Sequence, residues 1–437
     1  MKLSSIEIIK KLREKGYQAL WAGGCVRDIL LGVEPKDYDI VTSATPDQVE
    51  QLLPKTIPIG KQFGVILAES DGNHFEIATF RQEGDYLDGR RPSSVTFASE
   101  VEDASRRDFT INGLFYDPIA DQILDFIEGQ KDIEAKLVRF IGDPTSRIQE
   151  DNLRIIRAVR FKTTLDFQYH PETYQAIKQN ADLIKNVSAE RIQAELNKML
   201  QSPRRVEALN DLEDLGLLEI LLPEVQAMKG VAQPVEYHGG RDVYEHTMAC
   251  LQSLPEDAPL TLVWATLLHD SGKPATFKLA EDRIRFDGHD QASGEIAINI
   301  LNRLNFSRRD IEKVSWLCEH HMSVFNVLTM PLAAKTRWYL KPYFLELLDL
   351  HHADASGIEP IDLSVYKKIL QDYRAITDAL PDKLPKLITG LEIMELTGLP
   401  ASPKIKQIVD QIEDLQYEGK ITTREQAIEW VQNFKIV

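Results

Sequence analysis

Apolar positions in the first part of the chain change between helical and strand spacing. A first helix is predicted within residues 1–20 from a row of apolar side chains, Ile6, Ile8, Ile9 and Leu12. A second helix is predicted to begin at Pro46, because proline is favoured in the first turn of a helix. Alternation over 64–69 and 75–80 predicts strands. This mixture indicates an α/β domain at the start of the chain.

Helical spacing prevails in several later segments. Residues 146–161 are predicted to form one helix, and residues 190–196 belong to another. Near the end of the chain, three isoleucines recur at helical spacing and predict a small packed tail: Ile405, Ile408 and Ile412.

Length and composition indicate a protein of several domains. At 437 residues the chain is too long for one ordinary core and suggests about three or four modules. Its apolar runs fall short of the roughly 20 residues that span a membrane. The N-terminus lacks the apolar core of a signal peptide, and the three widely spaced cysteines suit a reducing compartment. We therefore expect a cytoplasmic protein without a membrane partner.

The charge distribution leaves room for a nucleic-acid partner. A formal net charge of −17 argues against a nonspecific coat for nucleic acid. Net charge does not fix the local potential, however. Residues 139–162 carry a basic stripe made of Arg139, Arg147, Arg154, Arg157, Arg160 and Lys162.

A glycine turn, an arginine and two aspartates follow one another within residues 22–41. Gly23 and Gly24 allow φ > 0 and a close approach of the backbone to a phosphate, and Arg27 offers a forked cation for phosphate oxygens. Asp37 and Asp39 are two residues apart, so on a strand both point to one face and repel unless a cation lies between them. Such oxygen ligands beside a phosphate site favour Mg²⁺ and two-metal nucleotidyl transfer. Taken singly, each motif would be an ordinary turn or a solvated strand end; their order favours the functional interpretation.

On these motifs the sequence resembles the bacterial tRNA nucleotidyltransferases of the class II CCA-adding and poly(A) polymerase family. The resemblance implies an α/β head with a mixed sheet and helices, followed by all-α neck, body, HD and tail domains. The expected boundaries are 1–138 for the head, 139–228 for the base-selecting, RNA-binding neck and body, 229–375 for the HD domain and 376–437 for a tRNA-binding tail. It also implies tRNA, ATP and CTP as partners and leaves the oligomeric state open.

The resemblance assigns catalysis and phosphate binding to the first motif. Asp37 and Asp39 are implied to hold two Mg²⁺ ions, while Gly24 and Arg27 are implied to hold the triphosphate. Arg107, in the segment 106–112, matches a position that contacts the nucleotide. From the residues alone, a surface salt bridge is the alternative for that arginine.

A base-selecting group is expected on the helix predicted at 146–161. Asp151 can accept a hydrogen bond from the exocyclic amine of cytosine or adenine while Arg154 donates to the neighbouring ring acceptor. Guanine and uracil carry a carbonyl there and would leave an acceptor unpaired, at a cost of about 1–3 kcal/mol. In the family the matching motif selects CTP and ATP in this way, and Arg157 and Arg160 match further nucleotide contacts. The alternative is a helix laced with ion pairs in which Asp151 pairs with Arg154, and a helical wheel turns Arg160 about 180° from Asp151.

The polar segment at 83–92 has the composition of a mobile loop. In the family a flexible loop at this place is implicated in accepting ATP after two cytidines have been added. Its presence argues against a member that adds only the cytidines.

A second site is indicated by histidines. Eight of the ten lie between positions 238 and 352. The order His246, then His269-Asp270, then Asp354 is that of the ligands in the HD phosphohydrolase fold. Imidazoles with carboxylates suit Mn²⁺, Ni²⁺ or Fe, and a bound metal can make a nucleophile from water for phosphoester cleavage. Further candidates are Lys273 for a substrate phosphate and, for a second metal, His289 with one of His320 or His321.

The sequence therefore predicts an enzyme that adds CCA to the 3′ end of tRNA from CTP and ATP without a nucleic-acid template. An A-adding specialist and a poly(A) polymerase are close alternatives. An HD phosphohydrolase whose head only binds nucleotide or RNA is an alternative of a different class. In one branch of the family the HD domain carries phosphatase, 2′-nucleotidase and 2′,3′-cyclic phosphodiesterase activities, which are implied here for tRNA repair.

Overall fold

The computed structural model describes residues 1–84, 94–234, 240–280, 283–381 and 384–434. Most of the segment predicted as a loop at 83–92 lies outside these residues, as does His238. The chain divides into two compact units, Met1–Gln226 with Arg303–Asn305 and Ala227–Asn302 with Phe306–Val437. The finer division into four domains stays a prediction.

The first unit begins with a mixed sheet, as the fold prediction required. Its strands, in chain order, are Ala19–Ala22 (β1), Ile40–Thr42 (β2), Thr56–Gly60 (β3), Val65–Ser70 (β4), Asn73–Thr79 (β5), Arg81–Glu83 (β6), Val95–Phe97 (β7), Phe115–Asp117 (β8) and Gln122–Leu124 (β9). Seven of them form one sheet in the order β3-β4-β5-β2-β1-β8-β9, and β6 pairs with β7 separately. Within the sheet β2 and β5 run parallel, whereas the other neighbours are antiparallel.

Strand β1 lies deep in the core because all four of its residues are apolar and buried. Its Trp21 packs against the rings of Tyr38 and Tyr116 and donates from Nε1 to Ser5 Oγ at 3.0 Å. Ser5 lies on the first helix, whose apolar face is buried as the sequence predicted. The helices of this part are Lys2–Glu14, Gly24–Leu30, Pro46–Leu52, Glu100–Arg106 and Gly129–Glu134.

The rest of the first unit is mostly helical. The prediction of one continuous helix at 146–161 is wrong. Two helices, Pro144–Glu150 and Arg154–Leu165, replace it. At the break, Asp151 is extended, with φ −141° and ψ 104°, and its carboxylate accepts from the backbone of Leu153 at 3.1 Å. Asn152 Nδ2 donates to Ile148 O at 2.7 Å and so satisfies a carbonyl that the ended helix leaves open. The later helices are Pro171–Gln179, Ala189–Leu200, Arg205–Asp214, Leu218–Leu221 and Pro223–Gln226.

The second unit is built around a helix that is apolar on all sides, Leu260–Leu268. Other helices are Val243–Ser253, Lys273–Thr276, His289–Arg303, Arg308–His320, Val324–Val327, Leu332–Tyr339, Phe344–Ser356, Ser364–Thr377, Gly390–Thr397, Pro403–Tyr417 and Arg424–Asn433. The three tail isoleucines belong to a buried cluster of their own, as predicted from their spacing. Two further short strand pairs join Leu137–Val138 with Gln168–Tyr169 and Lys278–Leu279 with Ile284–Arg285. Across the described residues, no helix combines the length and apolarity needed to cross a membrane.

Candidate functional site

The glycine turn between β1 and the helix Gly24–Leu30 requires glycine at one of its two positions. Gly23 has φ +75°, and a Cβ atom there would lie 3.1 Å from Arg107 Nη1. Gly24 does not adopt the left-handed conformation allowed for it in the sequence analysis, because it is the first residue of the helix. A Cβ atom on Gly24 would lie 3.7 Å from Arg27 Nη2, in van der Waals contact with it, so the absence of a side chain keeps this guanidinium accessible from the cavity.

The guanidinium of Arg27 is held by neutral and acidic partners. Its Nη1 donates to Asn112 Oδ1 at 2.7 Å, and its Nη2 donates to Asp28 Oδ1 at 2.7 Å. The group also lies 5.3 Å from the ring centre of Phe161. These contacts fix the orientation of a permanent cation that lines the cavity described below.

Three carboxylates lie close together where β2 begins beside the middle of β5. Asp37 and Asp39 come directly before β2, and Ala22 N donates to Asp39 O at 3.0 Å, so the β1 pairing extends to Asp39. The parallel register of β2 with β5 pairs Ile40 with Ile77, which brings Glu76 beside them. Burial raises the pKa of Asp39 to about 6, with Asp37 and Glu76 adding to the shift and Arg107 opposing it. Such crowded oxygen donors have the chemistry of a site for a hard divalent cation such as Mg²⁺.

Arg107 forms the salt bridge that was the alternative interpretation of its motif. Its Nη2 donates to Asp103 Oδ2 at 3.0 Å, and Arg106 Nη2 binds the other oxygen at 2.6 Å. Burial alone would raise the pKa of Asp103, but the two guanidinium groups hold it below its usual range. Arg107 nevertheless lines the same cavity as the three carboxylates, so the ion pair positions the arginine rather than hiding it.

The predicted base-selecting residues do not pair with each other. Asp151 instead accepts two hydrogen bonds from Arg191, from Nη1 at 3.1 Å and from Nη2 at 2.8 Å. Arg154 is buried and donates from Nη1 to Glu150 Oε2 at 2.6 Å and to Arg147 O at 2.9 Å. The direct Asp151–Arg154 ion pair, which the helical alternative required, is therefore absent from this part of the structure.

Arg157 and Arg160 are each held by a carboxylate from another element. Arg157 donates from Nε and Nη2 to Asp108 Oδ2, at 2.9 and 2.5 Å. Arg160 binds Glu195 of the helix Ala189–Leu200 and lies 3.9 Å from the ring centre of Phe161. Burial by itself would raise the pKa of Asp108, but Arg157, Asn112 and the Phe109 N–H lower it to about 2.

One cavity of about 1060 Å³ joins both groups. It is lined by all nine residues that the sequence analysis named for the head and neck: Gly24, Arg27, Asp37, Asp39, Arg107, Asp151, Arg154, Arg157 and Arg160. Because the helix breaks at Asp151, the helical-wheel objection to Arg160 does not apply, and both residues face the cavity. The cavity therefore carries acidic oxygen donors beside cations from several elements.

The second unit holds a compact cluster of histidines and aspartates. His246 Nε2 lies 3.0 Å from Asp354 Oδ1 and 3.6 Å from Asp270 Oδ2. His269 Nε2 lies 3.3 Å from Asp270 Oδ2 and makes no well-directed hydrogen bond within the described residues, although it is buried. A buried imidazole nitrogen facing two carboxylates is the donor set expected of a transition-metal ligand.

The other oxygen of Asp270 faces two more histidines. Its Oδ1 lies 3.5 Å from His289 Nε2 and 3.8 Å from His321 Nε2, and these two nitrogens are 3.2 Å apart. Burial lowers the pKa of His321 to about 4 and also lowers that of His289, so both rings are neutral donors at neutral pH. Backbone carbonyls of Phe286 and Cys318 accept from the Nδ1 atoms at 2.8 and 2.7 Å, which leaves Nε2 free to bind a cation.

His320 does not join the cluster. Its ring stacks on Trp316 with 4.5 Å between centres, and its Nδ1 bonds to Trp316 O at 2.9 Å. Of the two neighbouring histidines offered for a second metal, His321 is the one that the fold brings to Asp270. Lys273 donates to Asp270 Oδ2 at 2.7 Å and to Gln233 Oε1 at 2.6 Å, so its ammonium is bound within the protein.

Three family profiles match successive parts of the chain. They are the Poly A polymerase head domain at residues 19–139, the probable RNA and SrmB-binding site of polymerase A at 166–229, and the HD domain at 241–356. A curated CCA-adding enzyme from Staphylococcus aureus is 28% identical over 436 residues, which cover 98% of this chain and 96% of that protein. The chain is similar to CCA-adding enzymes over nearly its whole length.

Other CCA-adding enzymes match part or nearly all of the chain. The Bacillus pumilus enzyme is 44% identical over 218 residues, 50% of this chain and about half, 54%, of that relative's length. The structure of the Bacillus stearothermophilus CCA-adding enzyme in complex with CTP matches with a TM-score of 0.74 and 26% identity, covering 98% of this chain and 96% of that one. The Thermotoga maritima CCA-adding enzyme complexed with tRNA, at 18% identity and a TM-score of 0.60, shares the fold over 98% of this chain and 94% of its own.

The sequence analysis missed several side chains that complete these sites. Arg191 was included only within the helix predicted at 190–196, and Asp108 only within the segment 106–112. Glu76 was not considered as a site residue. Glu76 is an exposed acidic residue between buried neighbours on β5, a pattern that most solvent-facing strand positions share. No local signal distinguished it, because only the β2–β5 pairing brings it to the paired aspartates.

Proposed function

We propose that this chain completes the 3′ end of tRNA by adding C, C and A from CTP and ATP, without a nucleic-acid template. The observation that carries the proposal is the single cavity shared by the three carboxylates at the start of β2 and by Asp151 and Arg154. One nucleoside triphosphate can then meet both groups at once. The likeness to a CCA-adding enzyme solved with CTP over nearly the whole chain supports the same substrates.

Asp37, Asp39 and Glu76 form the metal-binding end of the cavity in this proposal. Magnesium bound there would supply positive charge to the triphosphate and to the attacking 3′-oxygen of the tRNA. Arg27, oriented by Asn112 and Asp28, binds the phosphates as a forked donor, and the absence of a side chain at Gly24 lets them approach. The 3′-oxygen attacks the α-phosphorus, and pyrophosphate leaves.

Asp151 and Arg154 select the base at the other end. Asp151 accepts from the exocyclic amine shared by cytosine and adenine, and Arg154 donates to the adjacent ring acceptor. Arg191 donates to both oxygens of the Asp151 carboxylate and orients it. Oδ1 also accepts from Leu153 N, whereas Oδ2 retains capacity to accept from the base.

The decisive experiment offers labelled CTP and ATP with tRNAs that end before C, after C or after CC. We expect all three to be extended to CCA and no further. Extension of only the last substrate indicates an A-adding specialist, and long A tails indicate a poly(A) polymerase.

Asp37→Ala should abolish this addition, because it removes one of three carboxylates from the metal-binding end. Asp182→Ala is the matched control, since Asp182 is an exposed carboxylate of the same unit, paired with Lys185 and outside the cavity. Full activity of D37A would refute the assignment of the acidic residues.

We further propose that the HD cluster cleaves phosphoesters at damaged tRNA ends, including 2′,3′-cyclic phosphates. The support is the arrangement of His246, His269, Asp270 and Asp354 with His289 and His321 in two groups. Ni²⁺, Mn²⁺ and Fe are the candidate metals for such a donor set.

In the test, purified protein is given Ni²⁺ or Mn²⁺ and a tRNA ending in a 2′,3′-cyclic phosphate. Cleavage that persists in D37A and is lost in His269→Ala supports the proposal. If the wild-type protein leaves the cyclic phosphate intact with either metal, the proposal fails. This result separates the HD activity from nucleotide addition.

A further inference from the structure

Cys250 adds a sulfur donor to the HD cluster that the HD ligand pattern does not include. It lies one helical turn after His246 on Val243–Ser253, is fully buried, and its Sγ is 3.4 Å from His246 Nε2. The ligand atoms of His246, Cys250, His269 and Asp354 all lie within 4.8 Å of one another. Gly357 packs over the thiol so closely that a Cβ atom there would lie 2.4 Å from Sγ.

Asp270 is divided between two environments. Its Oδ2 accepts a hydrogen bond from Lys273 at 2.7 Å and lies 3.3 and 3.6 Å from Nε2 of His269 and His246. Its Oδ1 faces His289 and His321. The donor atoms that lie within 4.8 Å of one another form a four-residue group, His246, Cys250, His269 and Asp354, and a three-residue group, Asp270, His289 and His321, and Asp270 borders both.

We propose that the four-residue group is a closed position for a thiophilic divalent ion such as Zn²⁺, with Cys250 as a ligand, and that the three-residue group is the open position. Closed sites of four N, S and O ligands are typical of structural zinc, whereas three ligands leave a place for water or substrate. The inference rests on the proposed metal-dependent HD centre. It assigns a structural role to the closed metal position and the binding of water or substrate to the open one. Coordination requires the thiolate, so the Cys250 S–H proton passes to solvent as the sulfur–metal bond forms.

His269 provides the independent observation for this position. Its Nε2 is buried, makes no well-directed hydrogen bond within the described residues and lies 3.3 Å from Asp270 Oδ2 and 3.8 Å from Asp354 Oδ1. Nδ1 donates to Thr266 O at 2.8 Å, so Nε2 is the ring nitrogen that can bind a cation. A cation among these four side chains would give Nε2 a well-directed partner.

The test loads the full-length apoprotein with Co²⁺ and records its absorption and metal content. We expect the HD cluster to hold two ions, counted in Asp37→Ala so that the acidic site of the first unit does not contribute. We also expect a sulfur-to-cobalt charge-transfer band in the near ultraviolet. Cys250→Ala should lose the band and one ion, while His321→Ala should lose one ion and keep the band. Cys318→Ala is the matched control, because Cys318 is an equally buried thiol outside both groups and should change neither.

Two results would overturn the inference: a cobalt-loaded wild-type protein without the band, or a C250A protein that keeps it. Circular dichroism and the thermal unfolding of the second unit in each variant establish that the loss does not come from unfolding. Cys250→Ser, which keeps the size of the side chain, should lower the preference for Zn²⁺ over Mn²⁺ at least tenfold. Because the readout is spectroscopic, it is independent of whether the HD centre cleaves cyclic phosphates.

Discussion

At the scale of single residues, the cavity in the first unit depends on cations held by buried carboxylates. Asp108 is the clearest case, since its side chain is only 11% exposed and both hydrogen bonds from Arg157 reach the same oxygen, Oδ2. The pair fixes the guanidinium that faces the nucleotide cavity. Removing either charged side chain would leave the other charge buried without a partner, which would lower the free energy of unfolding.

Asp108 should therefore make stability depend on pH. Its folded pKa of about 2 lies below its ordinary value of 3.8, so the stabilisation is present above pH 3.8 and is lost as pH falls towards 2. By linkage this amounts to about 2 kcal/mol. Urea unfolding of wild type and Asp108→Asn between pH 6 and the lowest pH at which both fold should show a smaller pH dependence in the variant. Equal slopes in the two proteins would count against the ion pair as the cause.

Arg191 should affect how strongly the enzyme discriminates between CTP and UTP. Arg191→Gln removes the two charged donors that orient Asp151, so the carboxylate can turn away from the base. We expect the preference for CTP over UTP, measured as a ratio of kcat/KM values, to fall about tenfold, equivalent to about 1.4 kcal/mol. Arg204→Gln, which breaks an exposed ion pair in the same unit, should leave the ratio unchanged.

At the scale of elements, the interruption between Pro144–Glu150 and Arg154–Leu165 shapes the end of the cavity that we propose selects the base. A continuous helix would place Asp151 and Arg160 on opposite sides. The extended Asp151 instead turns into the cavity, where Arg191 of the helix Ala189–Leu200 meets it. Three elements thus contribute to a group that looked local in the sequence.

Gly272 determines how closely two elements of the HD cluster approach. A Cβ atom there would lie 2.4 Å from His289 O and 2.8 Å from Ser293 N, both backbone atoms at the start of His289–Arg303. Gly272→Ala should push His289 away from Asp270 and lower the affinity of the three-residue group for a metal ion at least tenfold. Backbone atoms packed this closely can move only at a substantial cost in free energy. Isothermal titration of the apoprotein with Mn²⁺ checks this. Unchanged affinity in a folded variant would mean that the helix start adjusts without cost.

At the scale of the whole molecule, the chain has two compact units with separate chemistry. The nucleotide cavity is lined only by residues of the first unit, and the HD cluster only by residues of the second, within the described chain. Ligands that bind only the folded state stabilise the unit that holds them.

Calorimetry should therefore resolve two ligand responses. CTP with Mg²⁺ is expected to raise the unfolding temperature of one transition, and Zn²⁺ at micromolar excess to raise that of another. In Asp37→Ala the first response should disappear while the second remains, and in His269→Ala the reverse should hold. A single transition that both ligands shift together in every variant would contradict separate units.

The sequence by itself determined the kinds of residues and their local order. The acidic pair, the glycine at φ +75°, the histidine order and the tail isoleucines are all readable because their spacing is local. An α/β head followed by helices was predictable for the same reason.

Only the tertiary structure decided which side chains meet. Glu76 reaches Asp39 through a parallel pairing of distant strands, Arg191 reaches Asp151 from a helix 40 positions further along, and His321 rather than His320 turns towards Asp270. Adjacent helical residues point in directions about 100° apart, so a pair such as His320-His321 is ambiguous until packing fixes the helix rotation. Contacts between residues far apart in the chain depend on the packing of whole elements, which local spacing does not record.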